Sequence, residues 1–181
     1  MPLFSSFCHK TTQSFEAVTI RIGLTVAWLT AIMALMTCAV VMVRIVFSSG
    51  SIAAQESVTY MHALVIMLAS AYTLATDGHV RVDIFYRHFS ELHRAWVNAL
   101  GTLLFLIPFA SFTLFICWNY VAASWRVGET SLDAGGIPAV YLLKSLLLIN
   151  GFLLLLQALA DLMRNLNIIT HNQQTGSRTH D

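Results

Sequence analysis

Four long apolar runs, separated by short stretches that hold nearly all of the charge, constrain this chain more than any other feature. Ile22 to Val43 carries no formal charge between Arg21 and Arg44, and Ser57 to Thr76 carries none between Glu56 and Asp77. A third run extends from Ala95 to Trp125, and a fourth, Ile137 to Ala160, contains only Lys144. A membrane-spanning helix needs roughly 20 mostly apolar residues, and each run supplies them. Composition agrees: 57% of residues are hydrophobic and 10% charged, against about 25% charged in ordinary soluble domains. The chain is predicted to be an all-α integral membrane protein with four transmembrane helices, at about 22–43, 57–76, 95–125 and 137–160. These form a single membrane domain over 1–181, with residues 165–181 expected as a flexible cytoplasmic tail.

A cleaved signal peptide is the rival reading of the first run. Such peptides have an apolar region of about 7–15 residues and a small-residue cleavage site. The run here is longer and no such site follows it, so it reads as a retained signal anchor.

Orientation follows from the basic residues. With four spans, both termini and the connection between spans two and three share one side. That side carries Lys10, Arg21, Arg81, Arg87, Arg94, Arg164 and Arg178, while the other carries Arg44 and Arg126. The positive-inside rule places both termini in the cytoplasm. For a bacterial chain this means a multi-pass inner-membrane protein. Trp96 then lies near the inner interface, and Trp125, Tyr60 and Tyr141 near the outer one, as aromatic belts require.

Between spans two and three the chain concentrates charge in Asp77, Arg81, Asp83, Arg87, Glu91 and Arg94. Asp77 with Arg81, and Asp83 with Arg87, stand four residues apart with the acid first, the favourable order on a helix. Ile84, Phe85, His88, Phe89 and Leu92 form the apolar side of the same helix. The pattern predicts a short interfacial helix, its arginines beside anionic lipid. Gly78 is expected to break the helix before it, and Ser90 to cap the one after.

Within the spans, chemistry is sparse. His62 is a lone intramembrane histidine; such groups serve as haem ligands or proton relays, or simply hydrogen-bond to a neighbouring helix. No second span holds a histidine to complete a bis-histidine haem site. Lys144 either extends its stem to the outer interface or needs an acid, for which Glu129 and Glu56 lie nearest in depth. Cys8, Cys38 and Cys117 form no closely spaced pair, and no phosphate-binding loop, metal-ligand cluster or nucleophile arrangement occurs. Nothing here points to an enzyme. Three polar or small faces stand out instead. Gly23, Ala27 and Ala31 recur every fourth residue, which permits close helix approach. Asn98, Gly101, Thr102, Pro108, Thr113 and Asn119 share a broad face, and Asn150, Gln157, Asp161 and Arg164 a narrower one. Amides exposed to hydrocarbon go unsatisfied, so these faces are expected against protein, part of it a larger partner.

The order of two motifs along the chain resembles a known family. His79-Val80-Arg81-Val82-Asp83 follows span two directly. Trp125-Arg126-Val127-Gly128-Glu129-Thr130-Ser131 follows span three, and Ile137-Pro138 opens span four. Together they resemble the small membrane subunit (DctQ-like) of tripartite ATP-independent periplasmic (TRAP) transporters. The linker Asp133-Ala134-Gly135-Gly136 is more polar and glycine-rich than that pattern. The resemblance implies a scaffold subunit of a sodium-coupled importer of an organic acid or similar solute. A periplasmic solute-binding protein delivers the solute, and a large membrane subunit holds the substrate and sodium sites. It implies no cofactor in this chain and no nucleic-acid partner. Candidate contacts with partners or lipid are then Arg81, Asp83, Arg87, Arg126, Glu129, Asp133, Lys144, Asn150 and Gln157. The alternatives are a small anchor subunit of a quinone- or haem-associated redox complex and, more weakly, a channel-like or drug-exporting four-helix oligomer.

Overall fold

A computed structural model describes residues 2–78, 86 and 88–177, and among these the chain is all-α. Helix α1 runs Pro2–Phe47 and α2 Ile52–Ala75. Helix α3, Glu91–Gly101, passes through a π-helical turn at Thr102–Leu106 into α4, Ile107–Val127. Helix α5 covers Val140–Ser177. Four helical stretches, Ala17–Phe47, Ile52–Ala75, Glu91–Val127 and Val140–Asn172, are long and apolar enough to cross a membrane. The predicted interfacial helix between spans two and three falls mostly on 79–85 and 87, outside the described residues.

Helix boundaries follow local chemistry. Ser51 caps α2, its hydroxyl accepting the Ala54 N–H at 3.3 Å, and so satisfies one of the free donors of the first turn. At the other end, Asp77 rather than Gly78 takes the left-handed conformation (φ 56°), which Asp tolerates better than most residues. The Gly78 N–H then closes on the Thr73 carbonyl at 2.8 Å. Ser90 caps α3 by accepting the His93 N–H.

The third span is one rod with a widened turn. Pro108, second residue of α4, has no N–H, and its ring collides with the carbonyl of the preceding turn in a regular helix. In place of the usual bond, the Ile107 N–H reaches back five residues to Thr102. That extra residue per turn absorbs the proline without a break.

Helix α5 is the centre of the molecule, packed against α1, α2, α3, α4 and the π-helical turn, while α1 rests on α2 and α5. Between α2, α4 and α5 the core consists of Ala71, Ala110, Leu153 and Leu154. Lipid tails are as apolar as leucine, so such helices associate through close packing, which small residues permit. Gly23 shows this most directly: a Cβ there would overlap the Tyr72 ring of α2. The stripe of Gly23, Ala27 and Ala31 does not pack as a unit, however. Gly23 is buried, but Ala27 and Ala31 face outward, and within residues 17–47 of α1 the buried positions are Thr19, Gly23 and Val26.

The tail expected from residue 165 is helical as far as Ser177. Its first turns are held by packing, because Ile169 is only 4% exposed and joins Ala95 and Ala99 of α3 in a second core cluster. A polar helix end thus becomes a packed one, which a count of apolar residues does not reveal.

Candidate functional site

The connection from α4 to α5 forms a polar cap over one end of the bundle. Gly128 ends α4 in the left-handed conformation (φ 57°), where glycine carries no Cβ penalty. The Glu129 N–H then bonds to the Ser124 carbonyl at 3.1 Å, and Val140, opening α5, donates to the Glu129 carbonyl at 3.1 Å. Glu56, in the first turns of α2, reaches across. One carboxylate oxygen accepts the Ser131 hydroxyl and the other the Ile137 N–H, at 2.5 Å. Gly136 is required beneath this contact, since a Cβ there would strike the Ser131 side chain and stand 2.8 Å from the Glu56 carboxylate. Glu56 therefore joins α2 to both ends of the loop.

A second staple joins the loop to α5. Lys144 Nζ lies 2.5 Å from the Glu129 carboxylate and 4.0 Å from the centre of the Tyr120 ring. The Lys144 ammonium beside it holds the Glu129 carboxyl below its ordinary value. Lys144 is thus an ion-pair partner, 16% exposed, rather than a chain stretched to the interface. Trp125 completes the cap by donating its indole N–H to Ser145 Oγ at 2.8 Å, with its ring edge-on to Tyr141 at 4.7 Å. Arg126 and Asp133 remain exposed here, as does Leu132.

At the opposite end, a cavity of about 310 Å³ opens beside the π-helical turn, lined by Asn98, Thr102, Asp161, Arg164 and Asn165 together with apolar neighbours. Asp161 pairs with Arg164 at 2.7 Å, and Asn98 bonds to the Tyr86 hydroxyl. The motif residues Arg81, Asp83 and Arg87 lie outside the described residues.

The polar stripe of α5 points inward. Asn150 accepts the Ser70 hydroxyl of α2 at 2.5 Å. Gln157 is fully buried at 0% exposure, enclosed inside the bundle. Neither of its amide atoms has a hydrogen-bond partner among the described residues. His62 is exposed on α2. Among the described residues no group of His, Cys, Asp and Glu is placed to hold a metal ion.

The order of the loop motif along the chain and the helices around it carry over to a family comparison. A model of the DctQ component of tripartite ATP-independent periplasmic transporters matches residues 33–167, more than half of the chain. The chain belongs to the DctQ family. No curated protein and no solved structure matches it. The DctQ match extends from within α1 to well inside α5 and includes the whole Glu129–Ile137 loop. In this DctQ-family chain, Glu129, Ser131 and Ile137 all serve the cap. Glu56, which organises it, was not among the predicted contacts. Its signal in the sequence was a lone carboxylate at the mouth of an apolar run.

Proposed function

We propose that this protein is the small scaffold subunit of a TRAP-type, sodium-coupled secondary transporter. It supports a large membrane subunit that carries the solute and sodium sites, and it works with a periplasmic solute-binding protein. The family match over 33–167 carries this reading. The cap adds support, because Glu56, Glu129 and Lys144 are engaged in joining helices and not arranged around a cavity for a small solute. Both termini face the cytoplasm in this reading, in line with the excess of Lys and Arg on that side. The Glu129–Ile137 cap then faces the periplasm, where exposed Leu132, Arg126 and Asp133 are the groups offered to the binding protein. Glu129 and Lys144 contribute by holding that surface in shape.

The test is co-expression with the large subunit and the binding protein of the same system. Wild-type chain should co-purify with the large subunit and be needed for solute uptake in proteoliposomes. Uptake that proceeds equally without this chain would rule the scaffold reading out. Charge reversal at Arg126 and Asp133 should weaken docking of the binding protein while leaving the two membrane subunits together. Neutralising Arg81 and Asp83 should impair assembly with the large subunit without changing which solute is selected.

A further inference from the structure

Polar groups inside a membrane protein are expected to find partners, because hydrocarbon offers none. Several of those in the spans do. The hydroxyls of Thr25, Thr37, Ser57 and Thr113 each donate to a carbonyl one turn earlier in their own helix. Of the amides lying between the flanking charges of the third and fourth apolar runs, Asn98 and Asn150 are hydrogen-bonded, and Gln157, itself without a partner among the described residues, is enclosed inside the bundle. Asn119 differs. Its side chain is exposed on the outside of α4 and makes no hydrogen bond among the described residues.

Depth makes this exposure significant. Asn119 stands six residues before Trp125, which is roughly 9 Å farther into the membrane at 1.5 Å per residue. An asparagine side chain is too short to reach the interface from there. Trp118 beside it is 65% exposed and presents an indole at the same depth, and Phe115 is 80% exposed on the same face. Tryptophan ordinarily favours the interfacial level, where its N–H meets water.

The surface is also shaped. Trp118 forms a ridge between two apolar hollows. One, of about 390 Å³, is lined by Ser111, Leu114, Phe115, Trp118 and Asn119. The other, of about 410 Å³, lies towards α5 and includes Ala122 and Ile149. Acyl chains can fill hollows but cannot bond an amide. The exposed face of α1, with Trp28, Ile32 and Leu35, also presents an indole but no amide, and the Thr25 and Thr37 hydroxyls of α1 are satisfied by their own helix.

We propose that the α4 face bearing Ser111, Phe115, Trp118 and Asn119 is where a transmembrane helix of the large membrane subunit packs. A polar side chain of that helix bonds the Asn119 amide, and its apolar side chains enter the hollows flanking Trp118. The identity of the partner rests on the scaffold reading above. A second copy of this chain is the less suitable occupant. A two-fold axis that brought the Asn119 amides together would also drive the adjacent Trp118 rings against each other.

The experiment places a photo-crosslinking residue at Phe115 or Trp118, with Leu35 on α1 as control, in membranes that also contain the large subunit. An adduct with the summed mass of the two subunits is expected from 115 and 118 and not from 35. Asn119→Leu should reduce recovery of the large subunit several-fold and Asn119→Gln much less, with the melting temperature of the isolated small subunit unchanged in both. If wild-type subunits co-purify but 115 and 118 give only lipid adducts or dimers of this chain, the α4 proposal is overturned and the scaffold reading stands. Failure of the wild-type subunits to co-purify would overturn both.

Discussion

The cap at the α4–α5 loop and the outward face of α4 are adjacent in the chain, yet they handle polar groups in opposite ways. In the cap, Glu56, Glu129, Ser131 and Lys144 are all engaged with one another or with loop backbone. On α4, Asn119 and the Trp118 ring are directed outward. A charged residue near an interface draws the eye as a contact site, but here two of the most conspicuous, Glu129 and Lys144, are occupied in holding the fold. An uncharged amide in an apolar run draws less notice, and its exposure in hydrocarbon makes the stronger case for a partner. In this comparison, exposure without an internal partner, rather than charge, separates interacting from structural groups.

The largest effect that would break this contrast is expected at Glu56. Glu56→Ala removes the acceptor for both Ser131 and Ile137, so it should free the loop from α2 and markedly lower the melting temperature in detergent. Ser131→Ala removes only one of the two bonds and should cost less. A Glu56→Ala protein that melts with the wild type would show that the cap does not hold the helices together.

The next effect is pH-dependent and belongs to Glu129. Its carboxyl is held below its ordinary value by Lys144, so folding binds the proton less tightly than the unfolded chain does. The resulting stabilisation is fully present above the unfolded value, near pH 4.3 for Glu. It fades as pH falls through the lowered folded value. Thermal melts across this acid range should therefore show a loss in the wild type that is smaller in Glu129→Gln. Parallel profiles for the two proteins would remove the ion pair from the account.

The smallest effect should be at Asn119. In the isolated chain Asn119→Leu removes no internal bond, and its stability should stay within about 0.5 kcal/mol of wild type, as for surface substitutions away from special features. A larger destabilisation would place Asn119 among the structural residues and erase the difference between the two regions.

Much of this is legible in the sequence, though unevenly. Long charge-free runs announce helices in a membrane because a bilayer imposes both length and backbone pairing. The same reasoning correctly marked Ser90 as a cap, and named Glu129 as one of two acids for Lys144 to seek. It missed the π-helical turn, since Pro108 alone does not say whether a helix kinks, ends or widens. It also missed the packed extension through Ile169, whose burial depends on Ala95 and Ala99 lying opposite.

Faces were less legible than spans. Periodicity grouped Gly23 with Ala27 and Ala31, and Asn98 with Asn119, yet each group divides between inside and outside in the folded chain. The cause is physical. Helical spacing shows which residues share a side, but a bundle decides how wide a sector of that side each neighbour covers. In water, hydrophobicity would help to choose the buried sector; among helices surrounded by lipid it has little preference.

The sequence by itself determined the class of the molecule, the number of its spans and the family it belongs to. Those depend on run length, charge placement and motif order, all local properties of the chain. Tertiary structure alone decided that Glu56 ties α2 to the loop, that Lys144 pairs with Glu129, and that Gln157 lies inside while Asn119 lies outside. Each of these depends on which helix stands next to which, because the neighbouring helices decide whether a polar group in a membrane is enclosed in the bundle or left exposed on its surface.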